Sequence, residues 1–216
     1  NLVSTNPIQK IILKSKGAST IGGKDIWFDE DIQRLNEDGR GLHLGQFNTG
    51  DHILVICKDG TYYTTSFDLS NRYQGDILKI EKLDTGKTYT ALYYDKAVTS
   101  FYVKRFSFEV SDNTSVSFIS EAKGSYLVEV SDDKHPQFEI TFGGKHEHRE
   151  AEVVDAEEYI AKKGLQAKGK RVSAMDVKSV KFIEPLHKPE DDVVEEESQA
   201  ENQAGEIDNT DVEELI

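Results

Sequence analysis

The sequence is poor in several residue types, with one cysteine, one tryptophan, one methionine and four prolines among 216 residues. With Cys57 alone, no disulfide can form within the chain, which is typical of proteins from a reducing cytoplasm. Cys57 lies in the apolar run 53–57, so we interpret it as a small buried hydrophobic side chain and not as a catalytic thiol. Four prolines are too few for a polyproline linker.

Long hydrophobic segments are also missing. No apolar run approaches eighteen residues, which excludes a transmembrane helix, and residues 1–16 lack the charged-then-apolar order of a signal peptide. The chain begins without methionine, so we expect it to be a fragment of a longer protein. Hydrophobic residues make up only 37% and charged residues 31%, which indicates that part of the chain contributes nothing to a core.

The negative charge is concentrated at one end of the chain. Residues 1–187 hold 25 Lys+Arg against 28 Asp+Glu, whereas residues 188–216 hold one lysine against 12 acids. We therefore predict a nearly neutral folded domain over 1–187 and an acidic disordered tail over 188–216. The tail has two open interpretations: it keeps the protein soluble, or it mimics a polyanion and competes for a basic surface of the body.

Strand signals dominate the body. Two β-rich runs flank Lys58-Asp59-Gly60 within 51–70, and Asp-Gly between such runs predicts a hairpin turn. Further hairpins are predicted within 87–111, with the turn near Asp95-Lys96, within 124–143 around 132–136, and within 170–185. The partial alternation inside these runs is typical of strands buried on both faces.

The spacing of the predicted hairpins is regular. They begin near residues 53, 89, 126 and 171, and glycine-punctuated stretches between them are interpreted as outer strands and connecting loops. Such spacing predicts an all-β protein of repeated units, in which each unit covers the apolar face of its neighbour. The best helical candidate is 155–163, about two turns long, with Gly164 as its stop. Residues 29–36 are predicted as a short turn or a strand.

Motifs that would carry catalysis are weak or missing. The run Tyr62-Tyr63-Thr64-Thr65 follows a predicted turn, lacks an arginine-rich context and is interpreted as part of a strand. No GxxxxGK[ST] string occurs, so no phosphate loop and no ATP site are predicted. His146-Glu147-His148 has metal-like spacing, with His135 nearby, but its charged setting favours a solvated loop over a zinc site.

Three stretches resemble a known family. They read LDTGKTYTALYYDKAVTSFYVKRFSFEV over 83–110, GSYLVEVSDD over 124–133 and GLQAKGKRVSAMDVKSVKFIEPL over 164–186. Together they resemble the C-terminal domain of bacterial type II DNA topoisomerase A subunits, especially topoisomerase IV or gyrase subunits of the Bacteroidetes kind. The resemblance covers roughly residues 8–187.

The resemblance implies a β-pinwheel, a propeller-like disc of about four or five blades here, whose basic rim binds or bends double-stranded DNA. It implies no catalytic residue and no cofactor in this fragment, with Mg²⁺ and ATP used by the parent holoenzyme. The implied partners are the topoisomerase B subunit and the A-subunit dimer, and the implied location is the cytoplasm at the nucleoid. The gyrase basic box Gln-Arg-Arg-Gly-Gly-Lys-Gly is missing, and 166–172 is the nearest stretch. This difference favours topoisomerase IV over gyrase.

The candidate DNA-binding residues are the cations of the repeats, because backbone recognition requires positive charge along a surface and little base contact. The opposing interpretation is an ordinary solvated surface, since 25 basic residues among 28 acids are no excess. A protein-interaction propeller, or an extracellular β-rich binding module, is the alternative of another class. The predicted set is Arg72, Lys79, Lys104, Arg105, Lys123, Lys162, Lys163, Lys168, Lys170 and Arg171.

Overall fold

The computed structural model describes residues 23–187, and the predicted acidic tail lies outside them. The described chain is almost entirely β-structure, which confirms the all-β prediction. Its only α-helix is the single turn α1 (Ala156–Tyr159), and none of its helices is long and apolar enough to span a membrane. The strands are β1 (Lys24–Asp29), β2 (Arg34–Asn36), β3 (Leu42–Phe47), β4 (His52–Cys57), β5 (Thr61–Ser66), β6 (Ile77–Lys82), β7 (Tyr89–Asp95), β8 (Ser100–Phe106), β9 (Val116–Ser117), β10 (Tyr126–Ser131), β11 (Gln137–Phe142), β12 (Glu152–Asp155), β13 (Lys170–Arg171) and β14 (Val177–Ile183).

The strands form four small antiparallel sheets within the described residues. The first sheet has the order β2-β1-β3 and the second has the order β6-β4-β5-β9. The third sheet has the order β10-β7-β8-β13, and the fourth has the order β12-β11-β14. Strands β3, β6 and β13 lie at sheet edges, which confirms the prediction that the glycine-punctuated stretches carry outer strands.

The chain divides into two compact units. Among the described residues, the first unit comprises 23–52 and 66–73 and contains the first sheet. Alternate residues of β1 are buried there, and the ring of Phe28 packs edge-on against Tyr73 at 5.6 Å. Residues 67–73 follow β5 in sequence, yet they belong, with Ser66, to this unit, where Tyr73 N donates a hydrogen bond to Gln33 O.

The second unit comprises 53–65 and 74–187 and holds the other three sheets. Its third sheet is buried on both faces, because Ala91 and Tyr93 of β7 join one apolar cluster with the second sheet. Leu92 and Val103 join another cluster with the fourth sheet. Because both faces are covered, the side chains of β7 and β8 are buried at most positions, without the alternation of a strand that has one face in water.

In the second unit, the chain follows the same order of strands in the third sheet and again in the fourth. In the third sheet, the hairpin β7–β8 is followed by β9, which pairs with β5 of the preceding sheet, and the chain then returns as β10 beside β7. In the fourth sheet, β11 and β12 are followed by β13, which pairs with β8, and the chain returns as β14 beside β11. The second and third sheets therefore each receive an edge strand, β9 and β13, from the following repeat.

Two predicted hairpins are confirmed and two are wrong. Gly60 closes the β4–β5 turn with φ +83°, and β7 pairs with β8 across residues 96–99. The hairpin around 132–136 does not exist, because β10 pairs with β7 and β11 pairs with β12 and β14. Asp132, in the linker between β10 and β11, instead forms ion pairs with Lys79 and Lys87, which lie outside the predicted hairpin. The hairpin within 170–185 fails similarly, since β13 and β14 belong to different sheets.

The predicted two-turn helix is only one turn long. Asp155 caps it by accepting a hydrogen bond from Glu157 N at 2.8 Å, as an acidic cap should. The backbone turns extended at Ile160, so Gly164 is not the helix stop. The chain instead runs on beside β8, where Lys163 N donates to Arg105 O at 2.8 Å. Residues 29–36 form the end of β1, a turn and β2, as one of the two predicted options.

Candidate nucleic-acid interface

A basic segment crosses the outer edge of the third sheet. Residues 161–171, called the basic strap below, read AKKGLQAKGKR and hold five cations and no acid. The strap begins two residues after α1 and ends as β13, in which Lys170 pairs with Val103 and Arg171 with Tyr102 of β8. An antiparallel edge strand is a rigid support, so Lys170 and Arg171 are carried on a defined backbone.

Packing at both ends holds the basic strap on the sheet. Gly169 has φ +89°, and a Cβ there would lie 2.4 Å from Val103 O, so only glycine allows this close approach. Leu165 is buried in the cluster between the second and third sheets. The hydroxyl of Tyr159 donates to Arg171 O at 2.7 Å and to Val172 O at 3.0 Å. These contacts leave the strap's cations on the outside.

All five cations of the basic strap are solvent-exposed. The ammonium of Lys170 donates to Tyr159 O and lies 3.7 Å from the centroid of that ring, which leaves its charge unneutralised. Across residues 23–187, no carboxylate forms an ion pair with four of them, and Lys168 alone has such a partner. The four without a carboxylate partner are Lys162, Lys163, Lys170 and Arg171.

Asp95 connects three segments at one end of the third sheet. Its side chain is 2% exposed and accepts hydrogen bonds from Ala97 N in its own turn, from Ser120 Oγ and from Lys168 Nζ. Burial alone would raise the pKa of Asp95, but the hydrogen bonds from Lys168 and Ser120 hold it below its ordinary value. The same contact with Asp95 raises the pKa of Lys168, whose side chain is 50% exposed.

Two more exposed lysines lie beside this junction. Lys96 follows Asp95 directly, and its backbone N donates to Ser125 Oγ at 2.9 Å. A Cβ on Gly124 would lie 3.3 Å from Lys96 Cγ, which places Lys123 next to Lys96. Lys123 was predicted from the sequence, whereas Lys96 was recognised only as a turn residue. The contact between the two loops crosses almost thirty residues, so no local pattern indicates it.

Lys104 and Arg105 are corrections to the predicted set. Lys104 is only 3% exposed, and its ammonium donates to two backbone carbonyls, so it cannot reach a ligand at the surface. Arg105 points to the opposite face of β8, where its side chain is 11% exposed and pairs with Glu157 at 2.9 Å. Glu157 also contacts His135 Nδ1. The sequence does not indicate this burial, because a cation beside aromatic residues is also typical of an exposed strand, whereas β8 is buried on both faces.

Two other predicted cations belong to other elements of the chain. Lys79 on β6 is neutralised by Asp132 at 2.6 Å and by Glu81 at 3.4 Å. Arg72 is exposed and belongs to the first unit. The structure therefore brings together Lys123 and the five strap cations within the second unit, and it adds Lys96.

The residues considered for catalysis or metal binding make packing contacts and hydrogen bonds within the fold. Tyr62 is 2% exposed and packs against the ring of Phe108 at 4.7 Å on β5. Cys57 is half-buried, and burial raises the pKa of its thiol. His146 ends a 3-10 turn, and its Nδ1 accepts from Asp176 N. Over residues 23–187, no three His, Cys, Asp or Glu side chains gather as a metal site would require.

Comparisons with known proteins identify a family. The family described as "Topoisomerase C-terminal domain, Bacteroidota" matches residues 34–184. Among solved structures, a crystal structure of the C-terminal domain of DNA topoisomerase IV aligns with a TM-score of 0.43 and 9% identity. That alignment covers 67% of this chain and 50% of the other, so the chain spans about half the length of that structure. No curated protein matches the chain.

Proposed function

Since the chain belongs to the Bacteroidota family of topoisomerase C-terminal domains, we propose that it binds double-stranded DNA through the basic strap. The observation that carries this proposal is the set of four exposed strap cations that no carboxylate neutralises within 23–187. A polyanion with regularly spaced phosphates is the ligand that such a row binds, because each neutralised phosphate releases a condensed counterion. Lys96 and Lys123 extend the same charge at the Asp95 junction.

Recognition of this kind reads the DNA backbone and not the bases. Two of the strap cations, Lys170 and Arg171, lie on an edge strand, and no helix among the described residues is long enough to enter a major groove. Phosphate contacts position a protein on the duplex without carrying sequence information. The domain therefore holds DNA of any sequence and bends it where the duplex deforms easily.

Salt-dependent binding to two unrelated duplexes tests this function. We expect equal affinity for both sequences, and log K that falls linearly with log salt at about −0.9 for each phosphate contact. A control duplex carrying uncharged methylphosphonate linkages should bind much more weakly. No binding at about 50 mM salt, or a strong preference for one sequence, would contradict the proposal.

The chemistry of strand passage is assigned to the rest of the parent enzyme. We propose that this chain supplies no catalytic group and no cofactor site, and that Mg²⁺, ATP, the B subunit and the A-subunit dimer act in the holoenzyme in the cytoplasm. Nicking of supercoiled plasmid by the chain, abolished by Tyr63→Phe, would refute this assignment. ATP hydrolysis by the chain would refute it as well.

The parent is proposed to be a topoisomerase IV and not a gyrase. The support is the sequence, in which no Gln-Arg-Arg-Gly-Gly-Lys-Gly string occurs. The holoenzyme should relax and decatenate DNA with ATP, and it should not introduce negative supercoils into a relaxed plasmid. Supercoiling of that plasmid would favour the gyrase alternative instead.

A further inference from the structure

Lys104 is a buried cation that the proposed DNA contact does not use. Its ammonium donates to Phe118 O at 2.7 Å and to Leu165 O at 2.6 Å, and it lies 4.9 Å from the centroid of the Phe106 ring. No carboxylate in residues 23–187 forms an ion pair with it. Burying an ammonium without an anion costs free energy, and an apolar side chain of similar length would avoid that cost. The ammonium group of Lys104 therefore provides an interaction that an apolar side chain could not provide.

One of its two acceptors, Leu165 O, belongs to the middle of the basic strap. Regular bonding of the strap to β8 is interrupted there, because Lys163 N donates to Arg105 O and pairing resumes at Lys170. Between these points, two side chains of the third sheet reach the strap's carbonyls. Lys104 Nζ donates to Leu165 O, and the hydroxyl of Tyr93 donates to Lys168 O.

We propose that Lys104 is a positioning residue for DNA binding, which holds residues 164–169 against the third sheet and so fixes the distance between Lys163 and Lys168. This inference rests on the proposed function, because it concerns how the same strap is presented to DNA. Lys104 does not touch the DNA itself. Preorganised cations bind with less loss of conformational entropy than cations on a loose loop, so releasing this anchor lowers affinity.

The protonation state of Lys104 makes the proposal testable without a mutation. Burial lowers the pKa of Lys104 to about 8. The titratable groups that share its cavity are Tyr93 and Asp95 of β7 and Lys168 of the strap. Burial raises the pKa of Tyr93, contact with Asp95 raises that of Lys168, and the pKa of Asp95 stays low. Only Lys104 in this group changes charge between pH 7 and pH 9.5.

Loss of that proton weakens the anchor. Hydrogen bonds from a charged donor are about twice as strong as those from a neutral one, so the neutral amine holds Leu165 O less firmly. A cavity of about 230 Å³ between Lys104, Ser120, Gln166 and Lys168 leaves the strap room to shift. The affinity for DNA should therefore fall as pH rises through 8.

The decisive experiment compares the 216-residue chain with its Lys104→Met variant, using fluorescence anisotropy of a labelled duplex from pH 7 to pH 9.5. At pH 7 the variant should bind about fivefold more weakly, the equivalent of removing one hydrogen bond. Its affinity should stay flat with pH, whereas that of the wild type declines toward it. The N-terminal amine and Cys57 are common to both chains, so their titration cancels in the comparison. Equal affinities and equal pH profiles would overturn the positioning role.

Ile140→Val is the control, because it removes one buried methylene from the cluster between the third and fourth sheets and not from the cluster that holds Leu165. It should lower thermal stability while leaving the affinity and its pH profile unchanged. If it lowers the affinity as much as Lys104→Met does, Lys104 contributes only to the stability of the fold and not to positioning.

Should Lys104→Met fail to fold, a wild-type affinity that is constant from pH 7 to pH 9.5 overturns the proposal. If the wild type binds no DNA, the proposed function fails. The protection factors of the amides of 164–169, corrected for the base-catalysed rise of intrinsic exchange with pH, should then fall above pH 8 and test the anchor separately, and constant protection factors refute it.

Discussion

The carboxylate of Asp95 lies 2.7 Å from the ammonium of Lys168 and connects the β7–β8 turn to the basic strap. Asp95 is buried, and Ser120 Oγ donates to its other oxygen at 2.8 Å. One carboxylate therefore joins the three segments that carry Lys96, Lys123 and Lys168. In this arrangement an acid organises the positive surface, although by charge alone it would weaken DNA binding.

Asp95→Asn should lower the free energy of unfolding by about 1–3 kcal/mol, because buried donors are deprived of a charged acceptor. Removing one negative charge would by itself raise the DNA affinity of the folded protein. The change should be smaller than that, because Lys168 becomes less ordered when it loses its partner. Chemical denaturation and anisotropy measure the two effects. A rise in affinity with unchanged stability would contradict the organising role.

Lys96 and Lys123 together should contribute to DNA binding. The double variant Lys96→Ala/Lys123→Ala is expected to weaken affinity for every duplex alike and to make the salt slope shallower by about 0.9 for each phosphate that is no longer neutralised. Lys58→Ala/Lys145→Ala removes the same charge from exposed sites elsewhere in the unit and serves as the control. Equal reductions in affinity for the two double variants would mean that only net charge matters at this junction.

Acid stability should depend on Asp132. Its ion pairs with Lys79 and Lys87 lower its pKa to about 2, against the raising effect of burial. A lowered pKa stabilises the folded state above pH 4, and this contribution, up to about 2 kcal/mol, is lost as pH falls to 2. Urea unfolding should show a steeper acid decline for the wild type than for Asp132→Asn. The exposed Glu150→Gln should retain the wild-type decline. Parallel curves for all three would contradict the assignment.

The acidic tail, outside the described residues, stays a prediction from sequence. Deleting residues 190–216 should tighten DNA binding several-fold at low salt and less at high salt, because a tethered polyanion competes electrostatically at roughly millimolar effective concentration. Replacing the tail's acids by Gln and Asn at constant length separates charge from length. Shifted resonances of strap lysines in the intact chain would indicate docking. Unchanged affinity at every salt concentration would leave the tail only a solubilising role.

The strand pairings that could be predicted from the sequence are those between strands that lie close together along the chain. The β4–β5 and β7–β8 hairpins were predictable, because each joins neighbouring strands through a short turn. The pairing of β13 with β8 joins residues more than sixty positions apart through a two-residue strand, which has no measurable periodicity. The predicted hairpin around 132–136 failed for the same reason, since alternation indicates a strand and not its partner.

The candidate site was predictable in part. All five cations of the basic strap are in the predicted set, because they cluster within ten residues without an acid. Burial of Lys104 could not be foreseen, because a lysine beside aromatic residues is usually at the surface and its carbonyl acceptors at 118 and 165 are distant in sequence. Lys96 was missed because its nearness to Lys123 depends on the contact between two loops.

The central claim is that the basic strap binds the DNA backbone, and one measurement tests it most directly. The salt dependence of duplex binding should be compared among the wild type, Lys168→Ala/Lys170→Ala/Arg171→Ala and the control Lys58→Ala/Lys145→Ala/Lys178→Ala, which removes the same charge from exposed sites elsewhere in the second unit. The strap variant should bind every sequence more weakly, with a slope shallower by about 0.9 for each of up to three phosphates, while the control keeps nearly the wild-type slope. An unchanged slope in the strap variant would contradict the account.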